Sequence, residues 1–162
     1  MQLTLLGTGC PKVDHNRFGP SNLVSSLKTF ILIDCGSGVT QRLDKLNVPL
    51  SKIDALFLTH LHSDHVVDLY QLIISSWHSY RTKPWKIYGP LGTKKFVNKI
   101  MDAWKDERNL RIKYEQRESI DAFNLKVFEF AKYGKVKIKD IDVEYFQVDH
   151  KPVKFAYGFN FF

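Results

Sequence analysis

The chain has 162 residues, of which 44% are hydrophobic and 14% aromatic, enough to form the packed core of one domain. Two cysteines exclude a disulfide-stapled scaffold, and no apolar run approaches the roughly 20 residues of a membrane span. The formal net charge is +7, and the excess lies between residues 81 and 139, with 16 basic and 7 acidic side chains. This basic segment is compatible with polyanionic partners such as RNA, although from charge alone a solvated lysine-rich surface is the preferred explanation.

The N-terminal sequence MQLTLLGTG begins directly with a strand pattern. It lacks the charged segment and long apolar stretch of a secretory signal. With only two thiols in the chain, this start predicts a cytoplasmic protein that does not associate with a membrane.

The apolar patterns predict more strands than helices. Strands are predicted at Gln2–Leu6, Asn22–Ser26, Thr29–Asp34, Asp54–Thr59, Trp85–Tyr88, Arg111–Tyr114, Phe123–Phe130, Val136–Ile138, Val143–Val148 and Phe155–Phe162. Helices are predicted at Val39–Leu46, His65–Tyr80 and Gly92–Trp104. The mixed order indicates an α/β or α+β protein.

Three histidines and an aspartate fall within six residues of the stretch FLTHLHSDHVVDLY. His60, His62 and Asp64 are spaced two apart, so on an extended segment they point the same way, and His65 follows where a helix begins. Imidazole nitrogens and carboxylate oxygens suit zinc, with bonds of about 2.0–2.2 Å. Four ligands this close cannot all reach one tetrahedral ion comfortably. The pattern therefore predicts two ions, one on the first two histidines and one on Asp64 and His65.

Two other strand ends offer polar side chains to the same site. The strand pattern VEYFQVDH ends at His150, which would supply a third imidazole. The pattern FILIDCG leads to Asp34, for which two roles remain open. Its carboxylate could hold a ligating histidine through the free ring N–H, or it could cap the turn before Gly36.

The segment HLHSDH resembles the His-x-His-x-Asp-His signature of the metallo-β-lactamase superfamily. The segments LTLLGTG, NRFGPSNLV, IDCGSG, FLTHLHSDHVVDL, IYGPLGT and VDHKPVKFAYGF resemble its ribonuclease Z-like branch, which includes arylsulfatase-like hydrolases. The resemblance implies an αββα sandwich and a hydrolase with two zinc ions, or Mn²⁺ or another divalent ion. It assigns His60, His62 and His150 to one metal, and Asp64 and His65 to the other.

The family pattern also contains a bridging aspartate and a further histidine, both well beyond the motif at His150. The chain ends before either, so we expect residues 1–162 to form one domain that is the N-terminal portion of the fold. A site reduced in this way would bind metal weakly. An unfinished sandwich would also expose an apolar face, which predicts self-association, for example as a homodimer.

The resemblance and the residue chemistry leave three functions open. Zinc would acidify a water molecule, Asp64 would act as general base, and Arg17 could bind phosphate or sulfate or simply be exposed. The basic middle segment favours cleavage of the 3′ trailer from a tRNA precursor. The NRFGPS loop favours a small anionic ester such as an aryl sulfate. The early end of the chain favours an inactive module that only binds metal or a partner.

Overall fold

The structure is a computed structural model that describes all 162 residues. Six strands form a large mixed sheet in which their spatial order follows the chain: β1 (Gln2–Gly7), β2 (Ser21–Ser25), β3 (Phe30–Ile33), β4 (Ala55–Phe57), β5 (Trp85–Gly89) and β6 (Leu125–Glu129). The first three strands pair antiparallel, and β3 to β6 pair parallel. The carboxyl ends of these four parallel strands therefore lie at one edge of the sheet.

Five helices accompany the large sheet: α1 (Val39–Lys45), α2 (Ser63–Val66), α3 (Leu69–His78), α4 (Thr93–Ala103) and α5 (Lys105–Glu115). Short 3₁₀ turns occur at Leu50–Lys52 and Asp121–Phe123. Apolar side chains of α1, α3 and α4, among them Leu43, Leu72 and Val97, form one core cluster with Leu32, Leu56 and Ile87 of the sheet. These helices thus cover one face of the sheet, and none of the five combines the length and the apolar character that crossing a membrane requires.

A second, antiparallel sheet covers the other face. It consists of β7 (Tyr133–Ile138), β8 (Ile141–His150) and β9 (Val153–Phe161). Phe57 of the large sheet packs edge-on to Phe159 of β9 with ring centroids 5.4 Å apart, and it stacks on Phe130 at 6.2 Å. The layers are therefore helices, large sheet and small sheet, which positions the ends of β4 and β8 at a common seam.

Two carboxylates, those of Asp54 and Asp140, connect the small sheet to the large one. The Asp54 carboxylate lies 2.7 Å from Lys83 Nζ and 2.9 Å from Lys139 Nζ. Asp140, in the turn between β7 and β8, accepts hydrogen bonds from Thr29 and from Ser26, the latter at 3.0 Å. The β7–β8 turn is thereby held against the β2–β3 turn and the start of β4.

The strand predicted at Arg111–Tyr114 is wrong, because this segment belongs to α5. The alternation of polar and apolar residues suggested a strand. Charge spacing favours the helix instead: Arg111 forms ion pairs with Glu107 and Glu115, one turn away on either side. Such i,i+4 pairs stabilise a helix that buries none of its residues.

The helix predicted at His65–Tyr80 is divided into α2 and α3. Asp68, at the break, accepts a hydrogen bond from the Gly38 N–H at 2.8 Å, and its own N–H donates to the Cys35 carbonyl at 3.1 Å. The break therefore ties the histidine segment to the loop that follows β3. The other predicted elements are present, with ends shifted by a few residues.

Candidate metal centre

The histidines of the sequence motif lie at the edge where the two sheets meet. His62 precedes α2 with an extended backbone, φ −66° and ψ 146°, and the chain then turns into the helix. His150 is the last residue of β8. A register shift between Val148 and His150 marks a bulge at the end of this strand, and bulges re-aim the side chains that follow them.

His60, His62 and His150 converge into one group. Each offers a ligand atom, and these atoms all lie within 4.8 Å of one another. Nε2 of His60 is 3.0 Å from Nδ1 of His62, while the His60 and His150 ring centroids are 4.8 Å apart. Two nitrogens bound to one tetrahedral zinc ion are about 3.3 Å apart. Small side-chain rotations therefore suffice for these three residues to hold a metal ion.

Asp64 and His65 lie beside this group. Nε2 of His65 is 3.8 Å from an Asp64 oxygen, and the His60 and His65 ring centroids are 4.1 Å apart. The structure contains one group of three candidate ligands, the histidine triplet, and Asp64 and His65 do not form a second one. The structure thus shows three candidate ligands in one group, with Asp64 and His65 beside them.

Asp34 connects the two parts of the site. Its Oδ2 lies 2.8 Å from His65 Nδ1, which leaves Nε2 of that ring free to face the site. The same carboxylate accepts hydrogen bonds from the Thr59 N–H and the Thr59 hydroxyl, each at 2.8 Å. The backbone of Asp34 has a φ of 59°, a left-handed conformation that aspartate adopts more readily than most residues.

Sequence reasoning missed Thr59. Its hydroxyl is 2.9 Å from Nδ1 of His60, so it orients the buried imidazole with Nε2 towards His62. The only signal in the sequence was its position directly before His60. Its contact with Asp34 depends on the parallel alignment of β3 with β4, which a local pattern does not reveal.

Comparison with known proteins identifies the chain. Residues 1–161 match the sequence model of the family described as anti-Pycsar protein Apyc1. The chain belongs to this family. It is 34% identical over 163 residues to the ribonuclease Z of Mycobacterium marinum, covering 98% of this chain and 58% of that relative. This relative confirms the predicted resemblance to the ribonuclease Z-like branch, and the chain spans little more than half of its length.

Solved structures show which fold this Apyc1-family chain has. Human tRNase Z, short form, superposes with a TM-score of 0.77 at 23% identity, over 100% of this chain and 64% of the human one. YhfI of Bacillus subtilis, a metallo-β-lactamase fold protein, superposes with a TM-score of 0.72 at 22% identity. The superposition covers 99% of this chain and 56% of YhfI. The predicted metallo-β-lactamase fold is therefore confirmed, with the chain corresponding to part of each structure.

The environment of this Apyc1-family site sets the protonation of two histidines. Burial, together with the positive charges that His65, His62 and His150 carry when protonated, lowers the pKa of His60 to about 4. His60 is thus neutral at pH 7, the form in which imidazole binds metal. Burial opposes protonation of His65, but the hydrogen bond and charge of Asp34, with the charge of Asp64, outweigh it and raise the pKa of His65.

A cavity of about 370 Å³ opens beside Asp64 in this family member, and Arg17, Phe18, Ser63 and Val67 contribute to its walls. The Arg17 side chain is exposed, so its guanidinium is accessible to a ligand in the cavity. The structure thus places Arg17 on the same cavity as Asp64. None of the three histidines of the triplet lines that cavity. Such a cavity is large enough to admit a phosphate or sulfate ester.

Proposed function

We propose that this chain is the metal-binding portion of a hydrolase of the ribonuclease Z type, which cleaves a phosphodiester at the 3′ end of a tRNA precursor in the cytoplasm. The convergence of His60 and His62, from the segment after β4, with His150, from the end of β8, is the observation that carries the proposal. The relatives named ribonuclease Z support the choice of reaction. The proposal includes two divalent ions, zinc first, with Mn²⁺ as a substitute.

The ligand sets are unequal, so we expect the two ions to bind with different affinities. His60, His62 and His150 would hold the first ion more tightly than Asp64 and His65 would hold the second. When bound, such ions polarise an ester oxygen and acidify a water molecule. We assign to Asp64 the acceptance of the proton of that water, because its carboxylate lies 3.8 Å from His65 Nε2 and Asp64 lines the cavity.

The remaining residues position the reacting groups. Asp34 holds His65 through Nδ1, and Thr59 holds His60, so both rings keep one fixed orientation. Arg17 would bind a non-bridging oxygen of the phosphate through its planar guanidinium. A small anionic ester would make the same contact, so the choice between RNA and such an ester rests on the name of the relatives and on the basic segment.

Metal binding by the His150→Ala variant tests the proposal. The purified chain is freed of metal and titrated with zinc, and the bound metal is measured by mass spectrometry and calorimetry. We expect the variant to lose at least about tenfold in zinc affinity, since a tetrahedral site loses one of three protein ligands. The control is His78→Ala, which removes an imidazole of α3 that lies against Glu115. Equal zinc affinity of wild type and His150→Ala would contradict the proposal.

Hydrolysis assays separate the three functions. A precursor tRNA with a 3′ trailer, bis(p-nitrophenyl) phosphate and p-nitrophenyl sulfate are incubated with the zinc-loaded chain. Trailer release would support the proposed reaction, and cleavage of the small esters alone would favour the arylsulfatase-like alternative. Tight zinc binding without turnover of any substrate would favour the inactive module.

A further inference from the structure

A row of basic and aromatic side chains on β5 and β6 is not used by the proposed chemistry. Lys86 of β5 and Lys126 of β6 are partners in the parallel pairing, and both are exposed. Tyr88 and Phe128 are also partners, two residues further along the same face of the sheet. Adjacent strands lie about 4.8 Å apart, so the two ammonium groups emerge close together.

The two lysines have no counter-charge, unlike three lysines that precede β5 or lie on β7. Lys83, Lys135 and Lys137 each lie within 4.0 Å of an aspartate or glutamate: Asp54, Glu144 and Asp142. Neither Lys86 nor Lys126 takes part in any of the ion pairs of the chain. Because the two lysines are directly opposed across two strands, their like charges destabilise the sheet.

Glu129, the one acidic residue of β6, does not neutralise these lysines. Its carboxylate accepts hydrogen bonds from the N–H groups of Gly92 and Lys94, each at 2.9 Å, and so faces the start of α4. The face that carries Lys86 and Lys126 therefore contains two unpaired positive charges and no acid from its own strands. It complements an anion with more than one charge.

Phe128 ends a stack of rings that begins in the core. Phe57 stacks on Tyr88 with centroids 4.6 Å apart, and Tyr88 stacks on Phe128 at 4.9 Å with an interplanar angle of 17°. Phe57 is fully buried, Tyr88 is nearly so, and Phe128 is 45% exposed. The two inner rings fix the plane of Phe128, so its outer surface is a rigid aromatic platform in water.

The row leads towards the histidines. Strands β4, β5 and β6 are parallel, so Tyr88 and Phe128 lie nearer than Lys86 and Lys126 to the edge that carries His60. β6 is two strands from β4, about 10 Å, and the lysines are level with Ala55, five residues or about 17 Å before His60 along the strand direction. A flexible polymer of a few units spans this distance.

We propose that the β5–β6 lysine face, formed by Lys86, Lys126 and Phe128, binds single-stranded RNA. The two ammonium groups contact successive backbone phosphates, and one base stacks on the outer surface of Phe128. Phosphate contacts combined with a stacking platform are the usual means of binding single strands without sequence preference. The choice of RNA as the polyanion rests on the proposed function, whereas the binding itself requires no cleavage.

RNA binding by the metal-free chain tests this inference separately from catalysis. A fluorescent single-stranded RNA of about 12 nucleotides is titrated in EDTA and followed by anisotropy. We expect K86E/K126E to raise Kd at least about tenfold and to reduce the slope of log K against log salt by about 1.4, since each lost contact contributes about 0.7. Phe128→Ala should raise Kd about tenfold with the salt slope unchanged, because stacking releases no counterions.

The matched control is K94E/K95E, which makes the same change of charge at two exposed lysines of α4. We expect it to retain wild-type affinity. Circular dichroism checks that all variants are folded. Wild-type affinity in K86E/K126E, an equal loss in K94E/K95E, or no RNA binding by the wild type would each overturn the inference. Specific loss in K86E/K126E by a chain that hydrolyses nothing would uphold it while the proposed function failed.

Discussion

Asp34 is the residue on which the geometry of the whole histidine segment depends. It contacts His65 with one oxygen and Thr59 with both, and Thr59 in turn contacts His60. One buried carboxylate thus orients two imidazoles, His60 from the loop after the neighbouring strand and His65 from α2. Its left-handed backbone conformation persists because these contacts hold it.

The Asp34→Asn variant tests this positioning role. The amide keeps the size of the side chain but removes the charge that raises the pKa of His65. We expect zinc affinity to fall about 10- to 100-fold, the usual effect of losing a partner of a metal-binding histidine. The pKa of His65, followed by NMR, should also fall.

Asp149→Asn is the control for that variant, because Asp149 adjoins His150 but its side chain is 74% exposed and pairs only with Lys151. Zinc affinity in the control should match the wild type. If Asp34→Asn and Asp149→Asn weakened zinc binding equally, general loss of negative charge would explain both, and the positioning role of Asp34 would be wrong.

The sequence predicted the parts of the site that are close together in the chain. His60, His62, Asp64 and His65 were recognisable because spacing on one short segment fixes their relative directions. His150 was predicted because its strand pattern stopped there and because the family resemblance assigned it to the first metal. Thr59 was not predicted, since its role follows from a carboxylate on another strand. Local spacing thus revealed the candidate ligands, and tertiary contacts revealed what orients them.

At the scale of elements, buried charges connect the sheets as firmly as apolar contacts do. Burial of the Asp54 carboxylate opposes its ionisation, but hydrogen bonds from Lys139, Lys83 and the Phe30 N–H outweigh burial and lower its pKa. Lys139 belongs to the β7–β8 turn and Lys83 precedes β5. The ionised form of Asp54 therefore holds three parts of the chain together.

Asp54→Asn should destabilise the protein in a pH-dependent way. A folded pKa below the unfolded value, about 3.9, means that the stabilisation is complete above that pH and is lost as pH falls through the folded pKa. We expect a loss of about 2 kcal/mol at pH 7, which shrinks below about pH 4 as the wild-type carboxylate protonates. Urea unfolding from pH 7 to pH 3 measures it.

The matched variant for this test is Asp142→Asn, which removes an exposed carboxylate 3.6 Å from Lys137. Its unfolding free energy should change by less than about 0.5 kcal/mol at every pH, because exposed pairs contribute little. A difference between Asp54→Asn and wild type that stayed constant down to pH 3 would show that the asparagine acts through packing and not through lost charge.

The prediction of helices and strands was correct for segments whose structure is determined by burial. It was wrong for the segment whose structure is determined by charge pairs. The strand around Phe57 was predicted from an uninterrupted apolar run, and the strand is buried on both faces. α5 buries nothing, so hydrophobic period gave no information, and the i,i+4 charges of Glu107, Arg111 and Glu115 were the better signal. The break between α2 and α3 depends on the contact of Asp68 with a distant loop.

At the scale of the whole molecule, an apolar groove lies between β1 and β9. Its volume is about 890 Å³, and Leu3, Leu5, Phe159 and Phe161 line it. Leu3 and Leu5 are 62% and 60% exposed. Both strands are at the edges of their sheets, so their outer backbone groups have no strand partner. Exposed apolar surface next to open edges is a known cause of self-association.

We therefore expect the 162-residue chain to associate with itself, for example as a homodimer. Size-exclusion chromatography with light scattering over a range of concentrations measures this, and Leu5→Glu should shift the distribution towards monomer. Leu27→Glu, at a fully exposed leucine in the β2–β3 turn, is the control and should not. A wild-type chain that is monomeric at all concentrations would contradict the expectation.

Two of the three histidines follow a strand of the large sheet and the third ends a strand of the small sheet, which has a consequence for the stability of the fold. An ion held by His60, His62 and His150 would cross-link the two sheet layers. It would thereby join segments that are far apart in the sequence. The ion would bind the folded state and not the separated sheets. The unfolding temperature would therefore depend on the concentration of the metal ion. Metal supply in the cell would then govern the persistence of the protein as well as its chemistry.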